Sequence, residues 1–341
     1  MLGVIAFGGY DFKAASGQEP SISVLTKCVP VFDELVTSAF DFLGLRQLLP
    51  TFLMPSRARA LRFMGDLNVI ARDVLAKGRA SRDLGDLHPS SILATILTLQ
   101  NPATGRPLPD STLASEVIAF VEGGLGSTSR TLAWALYAIA TNPAVEAKLQ
   151  EELDEVLGCP RDEMASYPPL TNDGIGRMPY LAAVLKESMR LFPVFADGMM
   201  READRDVVLP GGWLVKKGEL VQIPLFSICS GSGFAGAFAR PTEFWPERWL
   251  PPADGGPAPA VADGSALNFT PFSTGNRDCP GQSLALFETK AVLAILCHRF
   301  VFRRPSGSAE LKGTIDALTM GPEGGLPMII SRRPGPARTA N

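Results

Sequence analysis

Histidine is scarce in this chain of 341 residues, which contains only His88 and His298. A metal site built from several imidazoles is therefore excluded, and we expect both histidines to be surface or capping residues. The chain also lacks a long basic run, and its 32 basic residues are balanced by 35 acidic ones, which gives a net charge of −3. This balance gives no reason to expect a nucleic-acid partner.

Long apolar runs are missing as well. No uninterrupted stretch reaches the length of a membrane span, and no basic segment precedes a hydrophobic one at the N-terminus. We therefore expect the chain as written to be soluble. Disulfide spacing is absent too, because the five cysteines are odd in number, widely scattered and form no C-x-x-C pair. This usage fits a reducing compartment.

The segment from Phe272 to Gly281 carries the strongest signal in the chain. Its single cysteine, Cys279, is surrounded by small and turn-forming residues, with Arg277 two positions before it and an apolar helical run after it. Glycines let the backbone close around a sulfur, and a following helix adds the positive end of its dipole. Both effects favour a thiolate, which can bind iron. The simpler alternative is a structural cysteine in a tight turn.

The same segment fits the pattern F-x-x-G-x-R-x-C-x-G at its five fixed positions, which are Phe272, Gly275, Arg277, Cys279 and Gly281. It resembles the haem loop of the cytochrome P-450 superfamily. The resemblance implies a mainly α fold with small β-sheets, forming one domain over residues 1–341. It also implies haem b (iron protoporphyrin IX) as the cofactor, with Cys279 as the iron ligand and Arg277 on a haem propionate.

Two further motifs of that family lie earlier in the chain, in the expected order. Glu187 and Arg190 form E-x-x-R in a helix predicted over Pro179 to Phe192, and Arg248 lies in a Pro-Glu-Arg-Trp segment. The resemblance implies that these three charges form a buried cluster with a structural role. Arg201 matches a family arginine that pairs with a propionate, although a solvated surface arginine is an equal alternative.

A long apolar helix is predicted over roughly Ser111 to Thr141, and it contains Gly123, Gly124 and Gly126. Each interior glycine costs about 1 kcal/mol relative to alanine. We therefore expect either a flat ligand against the backbone or an opening in the helical hydrogen bonds. Close packing of another helix is the alternative.

The family pattern at this place is A/G-G-x-D/E-T-T/S, in which an acid and a hydroxyl relay protons. Gly124 fits, but Gly126 stands where the acid belongs and Ser127 where the threonine belongs, with Thr128 next. The resemblance places these four residues on the oxygen side of the haem. Because a missing acid removes a proton conduit, both slow oxygen activation and chemistry without proton delivery remain open.

The activity implied by the resemblance is insertion of one oxygen atom from O₂ into a small lipophilic substrate. Electrons would come from an NADPH-dependent reductase or a ferredoxin, and we expect a monomer. A second hypothesis is a haem-thiolate enzyme that uses or rearranges a peroxide. A third is a non-catalytic truncated fragment.

The third hypothesis rests on residues 1–16, which begin abruptly in apolar sequence and resemble an internal part of family members. We expect an N-terminal truncation that removes the anchor, the first strands and the early helices. A natural short N-terminus is the alternative. A full-length parent could be associated with the endoplasmic reticulum membrane.

Other expectations concern the substrate pocket and the sheets. We expect four side chains to belong to the ordinary core or, alternatively, to line the substrate pocket. They are Phe40, Phe52, Met54 and Phe63. Alternating residues predict short strands near residues 206–209, 213–216 and 219–225. A closing hairpin, with a tip that can touch substrate, is predicted from Ala317 to Ser331.

Overall fold

The computed structural model describes residues 55–158, 167, 170–230, 238–262, 268–316 and 319–333. The chain divides into two compact units. The smaller unit contains the described residues up to Gly126 together with Asp316, and the larger contains the rest. The pocket positions Phe40, Phe52 and Met54 lie outside the described residues, as does the side chain of Phe63.

The smaller unit consists of helices α1 (Pro55–Asp83) and α2 (Ile92–Leu97) and the first half of α3 (Asp110–Thr141). A Cβ placed on Gly78 of α1 would lie 2.6 Å from Leu93 Cδ2 of α2. A larger residue at position 78 would therefore force the Leu93 side chain to shift. An exposed ion pair of 2.6 Å, from Arg79 to Asp110, links α1 to the start of α3.

The larger unit holds the second half of α3 and most of the other helices. They are α4 (Pro143–Leu157), α5 (Asn172–Gly176), α6 (Pro179–Leu191), α7 (Leu225–Ser230), α8 (Pro259–Ala262), α9 (Gln282–Arg299) and a 3₁₀ turn (Pro246–Trp249). Buried apolar side chains of α3, α4, α6 and α9 form its main core cluster. Gly158 ends α4 with a φ of +53°, a left-handed conformation that glycine adopts readily.

The strands are short and form two-stranded sheets. In chain order they are β1 (Met199–Glu202), β2 (Val207–Val208), β3 (Leu214–Val215), β4 (Leu220–Ile223), β5 (Phe300–Arg303), β6 (Gly313–Asp316), β7 (Thr319–Pro322) and β8 (Ile329–Arg332). The pairs are β1 with β4, β2 with β3, β5 with β8 and β6 with β7. This helical structure with small sheets confirms the predicted fold class.

Two expectations from the sequence are corrected. Among the described residues, the two strands of the predicted closing hairpin do not pair with each other, because β7 pairs with β6 and β8 pairs with β5. His298 is not a surface residue: it is 2% exposed, with Nε2 3.3 Å from Asp154 Oδ1 and Nδ1 2.6 Å from the Tyr167 hydroxyl. Its polar neighbours come from distant parts of the chain, which sequence spacing does not reveal.

None of the helices within the described ranges combines the length and the apolar character needed to cross a membrane.

Candidate haem-thiolate site

The Cys279 loop is a series of tight turns that ends at helix α9. Ser273 and Gly275 both have left-handed backbones, with φ values of +69° and +82°. The Asp278 amide donates to the Gly275 carbonyl at 3.1 Å, and the Cys279 amide donates to the Phe272 carbonyl at 2.9 Å. These turns hold the backbone of Cys279 in place while its side chain remains exposed.

Gly281 is the N-terminal cap of α9 and makes no side-chain capping bond. A Cβ at this position would lie 3.8 Å from Cys279 Sγ, so the thiol sits close to the start of the helix. The positive end of a helix dipole favours negative charge there. Phe272 anchors the other end of the loop, because its ring packs against the core cluster of the larger unit.

The other described cysteines are poor candidates for a ligand. Cys229 and Cys297 are both buried. Burial raises the pKa of the Cys229 thiol to about 11 and that of the Cys297 thiol to about 12. Since a thiolate binds metal and a thiol does not, Cys279 is the accessible ligand among the cysteines in the described ranges.

Arg201 lies beside this loop although it is 72 residues away in sequence. Its Nη2 donates to Ser273 Oγ at 3.0 Å, and its Nη1 donates to the Met200 carbonyl at 3.0 Å. Pairing of β1 with β4 positions the residue, with Arg201 opposite Val221. Arg277 is exposed on the Cys279 loop itself. The loop thus carries one arginine of its own, and a sheet supplies a second arginine that contacts it through Ser273.

The structure brings Glu187, Arg190 and Arg248 together, and their side chains are at most 1% exposed. Arg190 donates to the Glu187 carboxylate from Nε at 3.0 Å and from Nη2 at 2.9 Å. Arg248 Nε lies 3.0 Å from both carboxylate oxygens. The Trp245 amide and the Trp249 indole add bonds of 2.9 Å each.

Backbone carbonyls accept from the three remaining N–H groups of Arg190 and from two further N–H groups of Arg248. Arg190 donates to three carbonyls, those of Cys229, Pro241 and Glu243. Arg248 donates to two, those of Ala239 and Arg240. The buried charges are therefore paired and hydrogen-bonded, which is the condition under which burial is tolerated. The cluster joins α6 to the 3₁₀ turn and to the segment before it.

The glycine-rich part of α3 is helical throughout, so the expected opening of the helix is absent. A Cβ at Gly123 or Gly126 would meet no described heavy atom within 4 Å. Among the described residues, close packing therefore does not explain these two glycines, and space is left beside the helix. Gly124 also lies within helix α3.

Two polar groups on α3 are buried without a partner in the described part of the chain. They are Oε1 of Glu122 and Oγ1 of Thr128. Burial raises the pKa of the Glu122 carboxyl above its ordinary value of 4.5. Ser127 is half-buried, and its carbonyl accepts from Thr131 Oγ1 at 2.9 Å. In sequence, Glu122 lies one helical turn before Gly126 on the same face, and at that distance it cannot simply replace the missing acid.

The side chains of the Cys279 loop and of Arg201 offer the groups that a haem requires, namely a thiol for the iron and guanidinium groups for the propionates. An exposed thiol at a helix start can ligate iron, and Arg201 and Arg277 can pair with propionates. A mainly α fold with such a loop is that of a haem-thiolate protein. The family model described as Cytochrome P450 matches residues 11–326, and the chain belongs to this family.

Named relatives agree with this assignment. Human "Cytochrome P450 3A5" is 29% identical over 87% of this chain. "Cyclooctat-9-en-7-ol 5-monooxygenase" of Streptomyces melanosporofaciens is 30% identical over 85% of it. The "Bifunctional cytochrome P450/NADPH--P450 reductase" of Fusarium oxysporum is 33% identical over 78%. The chain spans 58%, 57% and 24% of their respective lengths.

A crystal structure of a cytochrome P450 (CYP102L1) has the same fold. Its TM-score with this chain is 0.71 at 24% sequence identity, and the match covers 97% of this chain and 66% of that one.

Proposed function

We propose that this chain is the haem-binding part of a monooxygenase that inserts one oxygen atom from O₂ into a small lipophilic substrate. The observation that carries the proposal is the exposed Cys279 thiol, held by turns at the start of α9. Two of the relatives above are named as a monooxygenase and as a P450 fused to a reductase, which supports the same chemistry.

The cofactor we propose is haem b, which supplies oxygen activation when it is bound. Cys279 would provide the thiolate ligand. The guanidinium groups of Arg201 and Arg277 would pair with the propionates, and charge-assisted bonds of this kind orient as well as attract. Because Ser273 already holds Arg201 at 3.0 Å, that side chain would be close to its binding position in advance.

Proton handling is proposed for the hydroxyl groups of α3. Thr128 Oγ1 is buried and has no partner among the described residues. This hydroxyl can therefore donate a hydrogen bond to a bound ligand or accept one from it. Ser127 provides a second hydroxyl one position earlier. Gly126 and Gly124 have no side chain to donate a proton, and their role would be to leave space against the helix backbone.

Electrons are proposed to come from an NADPH-dependent reductase or a ferredoxin. The Fusarium relative carries a reductase in the same polypeptide, as its name states.

The decisive experiment is the carbon monoxide difference spectrum of the reduced chain, expressed with haem. We expect a thiolate-type band in the parent and its loss in Cys279→Ser. Cys297→Ala is the matched control, because that thiol is buried, and the band should persist. A parent without the band would reject the proposal and would favour a non-catalytic fragment.

The propionate role has its own test. Arg201→Gln should weaken haem binding by about tenfold to a hundredfold, since loss of a charged hydrogen bond costs roughly 1.5–3 kcal/mol. Arg205→Gln, an exposed residue on the same segment, removes the same charge and should leave haem affinity within about twofold. Equal effects from both variants would contradict a specific contact.

A second candidate is a haem-thiolate enzyme that uses or rearranges a peroxide, and Gly126 favours it. Without an acid at this position, delivery of protons by a side chain is impaired. The test compares turnover with peroxide against turnover with reductase and NADPH. Equal support by both systems would count against the peroxide hypothesis. In Gly126→Glu, we expect reductase-supported turnover to rise relative to peroxide-supported turnover.

A further inference from the structure

The larger unit contains a cavity that the proposed haem chemistry does not use. Its volume is about 450 Å³, within the range of small-molecule sites. The wall is formed by the C-terminal parts of α3 and α6 and by residues 304–310, which follow β5. None of the residues proposed for the haem site lines it.

One wall residue, Arg304, is incompletely satisfied. Its Nη2 donates to the Ala309 carbonyl at 2.8 Å, and its guanidinium carbon lies 5.8 Å from the centre of the Tyr137 ring. Its Nη1, however, is buried with no hydrogen-bond partner among the described residues. A buried N–H of a charged group without an acceptor is unfavourable. Rotation of the guanidinium toward the cavity would let an oxygen anion bound there accept from this N–H group.

The rest of the lining limits what the anion can be. Thr242 and Ser308 place hydroxyl groups in the wall, and these can donate to a second oxygen. The rings of Tyr137 and Phe192 offer an apolar surface. Glu310 also lines the cavity, and its carboxylate repels a dianion such as phosphate more strongly than it repels a monocarboxylate. A monocarboxylate with an apolar or aromatic body meets all three conditions.

We propose that this cavity is a binding site for small monocarboxylates, with Arg304 as the anchoring charge. The site is separate from the proposed haem chemistry, so its occupancy does not require turnover. A bound carboxylate would bridge the end of α6 and the segment that follows β5.

The test uses benzoate as the probe and benzamide as its neutral counterpart, with binding to the haem-loaded chain measured by calorimetry. We expect saturable binding of benzoate and at least about tenfold weaker binding of benzamide, since the difference is a charge-assisted contact. The haem absorption should not shift during the titration. A shift would place benzoate at the haem and overturn the proposal.

Variants locate the site. Arg304→Gln should weaken benzoate binding by about tenfold, whereas Arg205→Gln removes the same charge from an exposed position and should have no effect. Because Arg304 also holds the Ala309 carbonyl, Ser308→Ala provides a milder change and should weaken binding by a few fold. Equal affinity for benzoate and benzamide, or unchanged binding in both the Arg304 and Ser308 variants, would overturn the assignment.

Discussion

Replacing Glu187 by glutamine tests the buried charge cluster with almost no change of shape. The carboxylate accepts from five N–H groups of two arginines and two tryptophans, and the Nε–H of Arg248 is shared between both oxygens. An amide keeps one acceptor oxygen and turns the other into a donor that faces N–H groups. It also removes the only negative charge of the cluster, so that Arg190 and Arg248 repel each other without compensation.

The expected loss is about 3–5 kcal/mol in the free energy of unfolding, the usual cost of leaving a buried charge unpaired. Because a folded domain is stable by only about 5–15 kcal/mol, this is a large fraction of the total. At roughly 2–4 °C per kcal/mol for a chain of this size, the melting temperature should fall on the order of 10 °C. Denaturant titration followed by circular dichroism measures the loss directly.

Glu243→Gln is the matched control. Glu243 forms an exposed ion pair with Arg240 at 3.1 Å, and such pairs contribute about 0–1 kcal/mol. The same chemical change is thus made once inside and once at the surface. If Glu187→Gln cost no more than Glu243→Gln, the cluster would not stabilise the fold as argued.

Three further predictions concern pH, backbone and reactivity. Burial raises the pKa of Glu122 above 4.5, so the stability that this group contributes is full below pH 4.5 and declines as the pH rises through the raised value. Glu122→Gln should abolish this decline, and identical pH profiles of stability for variant and parent would contradict it. Gly198→Ala would bring Cβ within 1.6 Å of a carbonyl oxygen of β4, whereas at Gly212, which also has a positive φ, a Cβ meets no described atom within 4 Å. Both variants share the left-handed backbone cost of roughly 1–2 kcal/mol. Thermal melts should show Gly198→Ala as the more destabilising variant, because it adds a steric clash to that cost. In the haem-free chain, iodoacetamide should label the exposed Cys279 well before the buried Cys297, as read by peptide mass mapping, and the opposite order would refute the burial argument.

Local sequence determined much of the helical fold. The helices predicted over Ser111 to Thr141 and Pro179 to Phe192 agree with α3 and α6 to within one residue, because apolar spacing, proline and glycine act over neighbouring positions. The Cys279 loop was predictable for the same reason. Its turns involve bonds between residues only a few positions apart, such as the bond from the Cys279 amide to the Phe272 carbonyl.

Only the tertiary structure decided the interactions that join distant segments. The sequence left Arg201 open between a propionate ligand and a solvated residue, and strand pairing placed it on Ser273. Pairing of β5 with β8 replaced the expected hairpin, and burial of His298 depended on neighbours from two other segments. Local propensity cannot select such pairings, because their free energy arises only when the chain has brought both partners together.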